Sequence, residues 1–384
     1  MTKLKAAVVI ARRKTQNAGL MRCLIFISML CVIVTFILLV PCQTNILAVF
    51  VNNGSLELEN MSNGSLELDN ISQFEEALVQ DDNEYILTDA EMEAITLKMK
   101  ERQLIIMDEC HDSGRFKVKN ILKKSRLIRV VKKLFIDKKR KLAWCPVYKA
   151  GSTTWMEIFA TMGGVMTPEN RKRLNKGLIQ MNQLARTAYP KITNVKQTVE
   201  FLPETTRFII VRHPFERLLS AYRDKLEHRK GREFYFRRYG RFIVRSQRDT
   251  NSTSLEKVEP TFVEFLRYLA KTKSFDEHWR PFTSECAPCE LDYQIILKME
   301  NIEMEELYLA TKFKLLEFLP MINSTRQWVH NRNPKGRTEL KYAKKYYSEV
   351  PRQLLQEIYM LYEQDFRLFG YSPQEYFDFT KQKA

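Results

Sequence analysis

The chain has 384 residues, 45% of them hydrophobic, which is enough for one large domain with accessory segments and excludes a chain without a core. Its formal charge of +16 is unevenly spread: residues 1–22 hold six Lys or Arg and no acid, residues 41–97 hold twelve Asp or Glu and no Lys or Arg, and 98–384 keep about +22. That surplus is an electrostatic footprint for a polyanion.

From Cys23 to Val40 the chain is apolar apart from Ser28, Thr35 and two cysteines. Eighteen residues at helical rise extend about 27 Å, enough for a thin bilayer of the early secretory pathway. Arg12, Arg13, Lys14 and Arg22 precede the run and no positive charge follows until Lys98, which predicts a cytoplasmic amino terminus and a single-pass type II protein. A cleaved signal peptide is the alternative, but the run exceeds about 7–15 residues and no clear Ala-x-Ala site follows. The expected segments are a tail (1–22), a signal anchor (23–40), a stem (41–97) and a lumenal domain (98–384).

The stem carries an internal repeat, Asn53-Gly-Ser-Leu-Glu-Leu-Glu-Asn60 and Asn63-Gly-Ser-Leu-Glu-Leu-Asp-Asn70. It supplies glycosylation sequons at Asn53, Asn60, Asn63 and Asn70, and two more lie at Asn251 and Asn323. An acidic, glycan-rich stretch to about Ala94 reads as a flexible spacer. Of seven cysteines, Cys110, Cys145, Cys286 and Cys289 fall in the lumenal part, where an oxidising compartment favours disulfides; three connectivities are open. Zinc at Cys286-x-x-Cys289 is the competing reading, and no second Cys or His pair stands at finger spacing.

Two stretches carry the chemistry. Cys145-Pro-Val-Tyr-Lys-Ala-Gly-Ser-Thr-Thr-Trp155 and Phe208-Ile-Ile-Val-Arg-His-Pro-Phe-Glu-Arg-Leu-Leu-Ser220 each read as an apolar strand, a tight polar turn and a helix start, which is how α/β proteins build anion sites. Lys149, Gly151, Ser152, Thr153 and Thr154 suit a phosphate or sulfate, because Gly151 permits close approach and the others supply an ammonium and hydroxyls. The Gly-x-x-x-x-Gly-Lys-Ser/Thr spacing is absent, which argues against ATP hydrolysis. Arg212 ends the second strand and Ser220 lies on the helix returning past it; Glu216 reads as a dipole partner or a salt bridge to a neighbouring arginine. Between Arg217 and Arg245 many cations interleave with Tyr222, Phe234, Tyr235, Phe236 and Tyr239. That pattern fits nucleic acid or an anionic glycan, and a lumenal location leaves the glycan. Among the histidines His278 is best placed as a base, while His228 and Glu227 stay open.

The two motifs resemble the donor-binding signatures of the Golgi carbohydrate sulfotransferases, in the branch of the chondroitin, dermatan and HNK-1 enzymes. His278-Trp-Arg-Pro281, Cys286-Ala-Pro-Cys289, Tyr293 and Lys298-Met-Glu300 follow the order of that family's third signature, and the resemblance spans roughly Phe135 to Tyr371. Departures are His213 where many relatives have aspartate, Tyr148 where many have proline, and Ser152 and Thr154 where Cys and Asn are frequent. The resemblance implies 3′-phosphoadenosine 5′-phosphosulfate (PAPS) as donor, no metal, a type II Golgi membrane enzyme and an anionic glycan acceptor, with the 4-hydroxyl of N-acetylgalactosamine in chondroitin or dermatan leading and an HNK-1-type glucuronate 3-hydroxyl as the alternative. It assigns Tyr148, Lys149, Ala150, Gly151, Ser152, Thr153 and Thr154 to the 5′-phosphosulfate and Arg212 with Ser220 to the 3′-phosphate. Lys149 is the expected catalytic cation and His278 the expected base.

The expected fold is a three-layer, P-loop-like α/β domain with a central parallel sheet, including strands near Lys141–Val147 and Arg207–Val211. The distal half is expected to be mostly helical, including Thr261–Lys271 and Pro351–Phe366. Two other readings are a non-catalytic lumenal polyanion-binding protein and a nucleotide-dependent kinase or glycosyltransferase. An Asp-x-Asp motif would support the last, and the sequence has none.

Overall fold

Alternating apolar strands and capped helices build two units in the structure, a computed structural model that describes residues 7–8, 46–52, 55–61, 87–110, 124–248, 258–319 and 340–380. The first unit, Met1–Asn83, contains an antiparallel sheet of β1 (Ala7–Val8), β2 (Ile46–Asn52) and β3 (Ser55–Met61), in that order. β2 and β3 pair from Ile46 with Met61 to Asn52 with Ser55. The stem expected to be a flexible spacer is therefore partly sheet.

The second unit, Glu84–Ala384, opens with α1 (Asp89–Glu109), which runs across the boundary expected between residues 97 and 98. A capping box starts it: the Glu91 N–H donates to Thr88 Oγ1 (3.3 Å) and the Thr88 N–H to Glu91 Oε2 (2.8 Å). Leu87, Ile95 and Met99 are buried in the core, so helical spacing of apolar residues outweighs the acidic composition here. The expected span at 23–40 and the sequons Asn53, Asn63, Asn70, Asn251 and Asn323 lie outside the described residues; Asn60 pairs with Leu47 in the hairpin. Among the described residues no helix is long and apolar enough to cross a membrane. Ala7 pairs with Phe50 in β1–β2, whereas a single span at 23–40 would place the two on opposite sides of a bilayer, so this pairing counts against the expected anchor.

After α1 come α2 (Ser125–Lys133), β4 (Phe135–Asp137), β5 (Leu142–Cys145), α3 (Ser152–Met162), α4 (Pro168–Asn175), α5 (Met181–Ala188), α6 (Val195–Phe201) and β6 (Thr206–Val211). Then follow α7 (Pro214–Lys225), α8 (Arg241–Gln247), α9 (Phe262–Thr272), β7 (Ile295–Lys298), α10 (Ile302–Phe313), α11 (Leu340–Tyr347), α12 (Arg352–Leu368) and α13 (Gln374–Phe379). The sheet order is β4-β5-β6-β7, with β5, β6 and β7 parallel and β4 antiparallel on the edge. The central parallel sheet expected from the sequence is present as β5–β6–β7, and β4 adds an antiparallel edge strand. Only residues 138–141 separate β4 from β5, too few for the crossover that a parallel pair needs.

Alternation along the strands makes three layers. Leu142, Trp144, Phe208, Ile210, Ile295 and Leu297 pack in one core with residues of α3 and α10, while Ala143, Cys145, Ile209, Val211 and Ile296 pack in another with residues of α2 and α6. A third, helical core gathers α7, α9, α11 and α12 around Phe215, Phe265, Trp279, Tyr347 and Tyr362. Disulfides join Cys110 to Cys289 and Cys145 to Cys286, which selects one of the three connectivities and leaves no zinc pair at Cys286-x-x-Cys289. Each closes a loop of more than 100 residues, worth about 4–5 kcal/mol in the chain-entropy account.

Candidate active site

The carboxyl ends of the parallel strands converge on a cavity of about 650 Å³. Beyond β5 the backbone turns through two left-handed residues, Lys149 (φ 69°) and Gly151 (φ 68°). Glycine adopts that conformation freely, whereas for lysine it costs about 1–2 kcal/mol, strain of the kind held at functional turns. Gly151 is the N-cap of α3, so the N–H groups of Ser152, Thr153 and Thr154 belong to the helix end that favours anions. Tyr148, Lys149, Gly151, Ser152, Thr153 and Thr154 all line the cavity. Ala150, expected with them, does not: its side chain is buried in the core and its N–H donates to Val147 O (3.3 Å), so it shapes the turn.

Beyond β6, Arg212 reaches the same cavity and Ser220 joins it from α7. Arg212 Nη2 is 3.1 Å from Glu216 Oε2, the salt bridge anticipated for that glutamate. His213 turns elsewhere, stacked on Tyr376 with Nε2 3.0 Å from Ser372 O, and burial pushes its imidazole down to about 4. One helical turn after Ser220 stands Asp224, a cavity residue that the motif reading missed although its i+4 spacing from Ser220 marks it. Its carboxylate lies 3.1 Å from Lys149 Nζ, 3.1 Å from Lys225 Nζ and 2.7 Å from Arg232 Nη2. Burial pushes the Asp224 carboxyl up, but the Lys149 and Lys225 ammonium groups and the Arg232 fork outweigh it and hold the group well below the usual range. Burial likewise lowers the Lys149 ammonium, opposed by Asp224. Both cations expected to bind the donor thus have a carboxylate partner on α7, Glu216 for Arg212 and Asp224 for Lys149.

The facing wall is fastened to this loop by Arg217, whose side chain is fully buried. Its Nε donates to Tyr148 O (2.9 Å), Nη1 to Arg280 O (2.7 Å) and Nη2 to Glu277 O (3.3 Å). The Cys145–Cys286 disulfide makes a second tie between β5 and the segment after His278. His278 consequently stacks on Tyr148 with ring centroids 4.6 Å apart, and both line the cavity. Its Nδ1 is 2.6 Å from Asp276 Oδ1 and 3.3 Å from the Tyr235 hydroxyl. The carboxylate assigns the proton to Nδ1, leaving Nε2 with a free lone pair, the tautomer a base requires. Burial lowers the His278 imidazole, and the Asp276 hydrogen bond opposes it, so the ring is neutral near pH 7. Asp276 was also missed, though Asp-x-His is visible in the sequence. His228, exposed against Glu227 (3.6 Å), and Glu227 itself do not line the cavity.

An anion-binding helix start, cations at two parallel strand ends and a neutral histidine facing them define a group-transfer enzyme with an anionic donor. A profile described as the Sulfotransferase family matches residues 132–372, and the chain belongs to that family. Carbohydrate sulfotransferase 11 of Rattus norvegicus is 28% identical over 263 residues, covering 64% of this chain and 69% of that protein. Carbohydrate sulfotransferase 10 of Xenopus laevis is 26% identical over 258 residues (63% and 68%), and carbohydrate sulfotransferase 8 of Homo sapiens 25% over 259 (64% and 56%). No solved structure matches the chain. Membership implies PAPS as the sulfate donor, and the residues fit it. Gly151 has no Cβ, and one built there would stand 3.4 Å from Met299 Sδ at the cavity wall; hydroxyls and helix amides flank it, and cations stand at both strand ends.

Proposed function

We propose that this chain is a type II Golgi membrane enzyme that transfers sulfate from PAPS to a hydroxyl of a glycosaminoglycan or glycoprotein glycan. The 4-hydroxyl of N-acetylgalactosamine in chondroitin or dermatan is the leading acceptor. The carrying observation is that Lys149, Arg212, Ser220 and His278, spread over 130 positions, line one cavity. The names of the relatives support a carbohydrate acceptor, and the tail, apolar run and clustered sequons support the topology.

PAPS, when bound, supplies the sulfuryl group. Ser152, Thr153 and Thr154 would hold its 5′ end with hydroxyls and helix amides, and Arg212 with Ser220 would hold the 3′-phosphate. Lys149, paired with Asp224 here, would present a cation where negative charge grows on the leaving oxygen. His278 takes the acceptor hydroxyl proton at Nε2, and the Asp276 carboxylate stabilises the imidazolium that results. Incubating the purified protein with labelled PAPS and a panel of desulfated glycosaminoglycans tests the reading. Label in the galactosamine 4-position of chondroitin or dermatan supports it, while heparin binding without transfer to any glycan reduces the protein to a polyanion binder.

A further inference from the structure

From the cavity wall through α8 runs an irregular helical stretch: Glu233–Tyr235, a π-helical turn Phe236–Gly240, then α8 itself, Arg241–Gln247. In the π-turn the Arg241 N–H reaches back five residues to Phe236 O, and Gly240 is needed because a Cβ there would lie 2.8 Å from the Phe236 ring. One face of the stretch, Phe236, Tyr239, Ile243 and Val244, is buried. The other exposes Arg237, Arg238, Arg241 and Arg245 together with Phe234 (58% exposed) and Phe242 (56% exposed).

Solvated helix faces ordinarily mix both charge signs and keep large aromatics inside. Here no Asp or Glu occurs from Phe234 to Arg248, and two phenylalanines stand in solvent among four arginines. The face begins at the cavity, which Arg232, Phe234 and Tyr235 line, and reaches about 16 Å to Arg245 at helical rise. Arg237, Arg241 and Arg245 recur every fourth residue and form one ridge.

We propose that this ridge is a second binding site for a linear anionic polysaccharide, the part of the acceptor chain that extends beyond the sugar in the cavity. Arginine forks take its carboxylates or sulfates, and Phe234 and Phe242 take the apolar faces of its sugar rings. The proposal rests on the glycan-acceptor reading and adds that the preferred substrate is a long anionic polymer rather than a short glycan.

The test uses the full chain and the triple variant Arg237→Ala/Arg241→Ala/Arg245→Ala, with labelled PAPS and desulfated chondroitin from tetrasaccharide to polymer. The variant is expected to raise KM for the polymer about tenfold, as three exposed charge contacts would. It should also leave a heparin column at lower salt, while kcat, tetrasaccharide KM and affinity for the desulfated donor product stay unchanged. An unchanged polymer KM overturns the proposal, and so does an equal loss on tetrasaccharide and polymer. If the wild-type chain transfers no sulfate but loses heparin retention in the variant, the polyanion site stands and the sulfotransfer reading falls.

Discussion

On the proposed donor side of the cavity the lining residues come from unbroken strand–turn–helix stretches, Tyr148 to Thr154 and Arg212 to Ser220, built on strand ends and helix starts. On the facing side His278 sits in no regular element and is placed by reach: Arg217 from α7, the Cys145–Cys286 link, Asp276 and the Tyr148 ring. The difference follows from the chemistry. Phosphate and sulfate are held by main-chain N–H groups, which only contiguous residues can present together. A base needs one ring nitrogen at one place, and any element that packs correctly can supply it.

Changes that act on one side or on the link between them can break this contrast. Arg217→Leu has the largest expected effect. Three carbonyls lose a donor, costing about 3–9 kcal/mol of stability at about 1–3 kcal/mol each, read as a fall in thermal midpoint with loss of both donor affinity and turnover. A variant that loses stability yet keeps both activities would show that Arg217 does not link the two sides. Arg212→Ala acts on the donor side alone and is expected to weaken calorimetric affinity for the desulfated donor product by about 2–3 kcal/mol, with the fold intact.

Asp276→Asn acts on the facing side and is expected to lower turnover about tenfold, without a change in donor affinity. Its pH dependence has a defined sign. Asp276 raises the His278 imidazole against the lowering effect of burial, so its removal lowers that group further. The active form is the neutral ring, so the acid limb of the rate profile moves to lower pH while the plateau falls. An acid limb that stays in place would remove His278 from the chemistry. Ser220→Ala sharpens the donor side with the smallest effect, a severalfold loss of product affinity from one neutral hydrogen bond of about 1 kcal/mol.

The same contrast explains what could be read from the chain. The donor residues were legible because their turn chemistry is local, and the strand and helix signals around them, including β6 and the Thr261 cap of α9, depend on neighbours in sequence. Ala150 lies in the core beside the cavity, because a motif does not say which residue of a left-handed turn faces inward. The roles of Asp224 and Arg217 depend on contacts between distant residues, Lys149 for the one and the Tyr148, Glu277 and Arg280 carbonyls for the other, whereas the β4–β5 hairpin and the Asp276–His278 pair are local and were open to a closer reading. Arg217 in particular reads as one more surface cation until its three carbonyl partners are seen.

The joining of donor activation and a base in one cavity is tested most directly by single-turnover sulfate transfer from labelled PAPS to desulfated chondroitin. The rate is measured from about pH 4 to 8, so that the acid limb of an imidazole lowered by burial is covered, in the wild type, Lys149→Ala and His278→Ala. Lys149→Ala is expected to slow transfer by about 10²–10³ at every pH with acceptor binding retained, because its charge acts in the transition state. His278→Ala is expected to slow it by about 10²–10⁴ and to abolish the acid limb. Near-normal transfer by His278→Ala over that range would make His278 a structural residue, and near-normal transfer by Lys149→Ala would place the reaction outside this cavity.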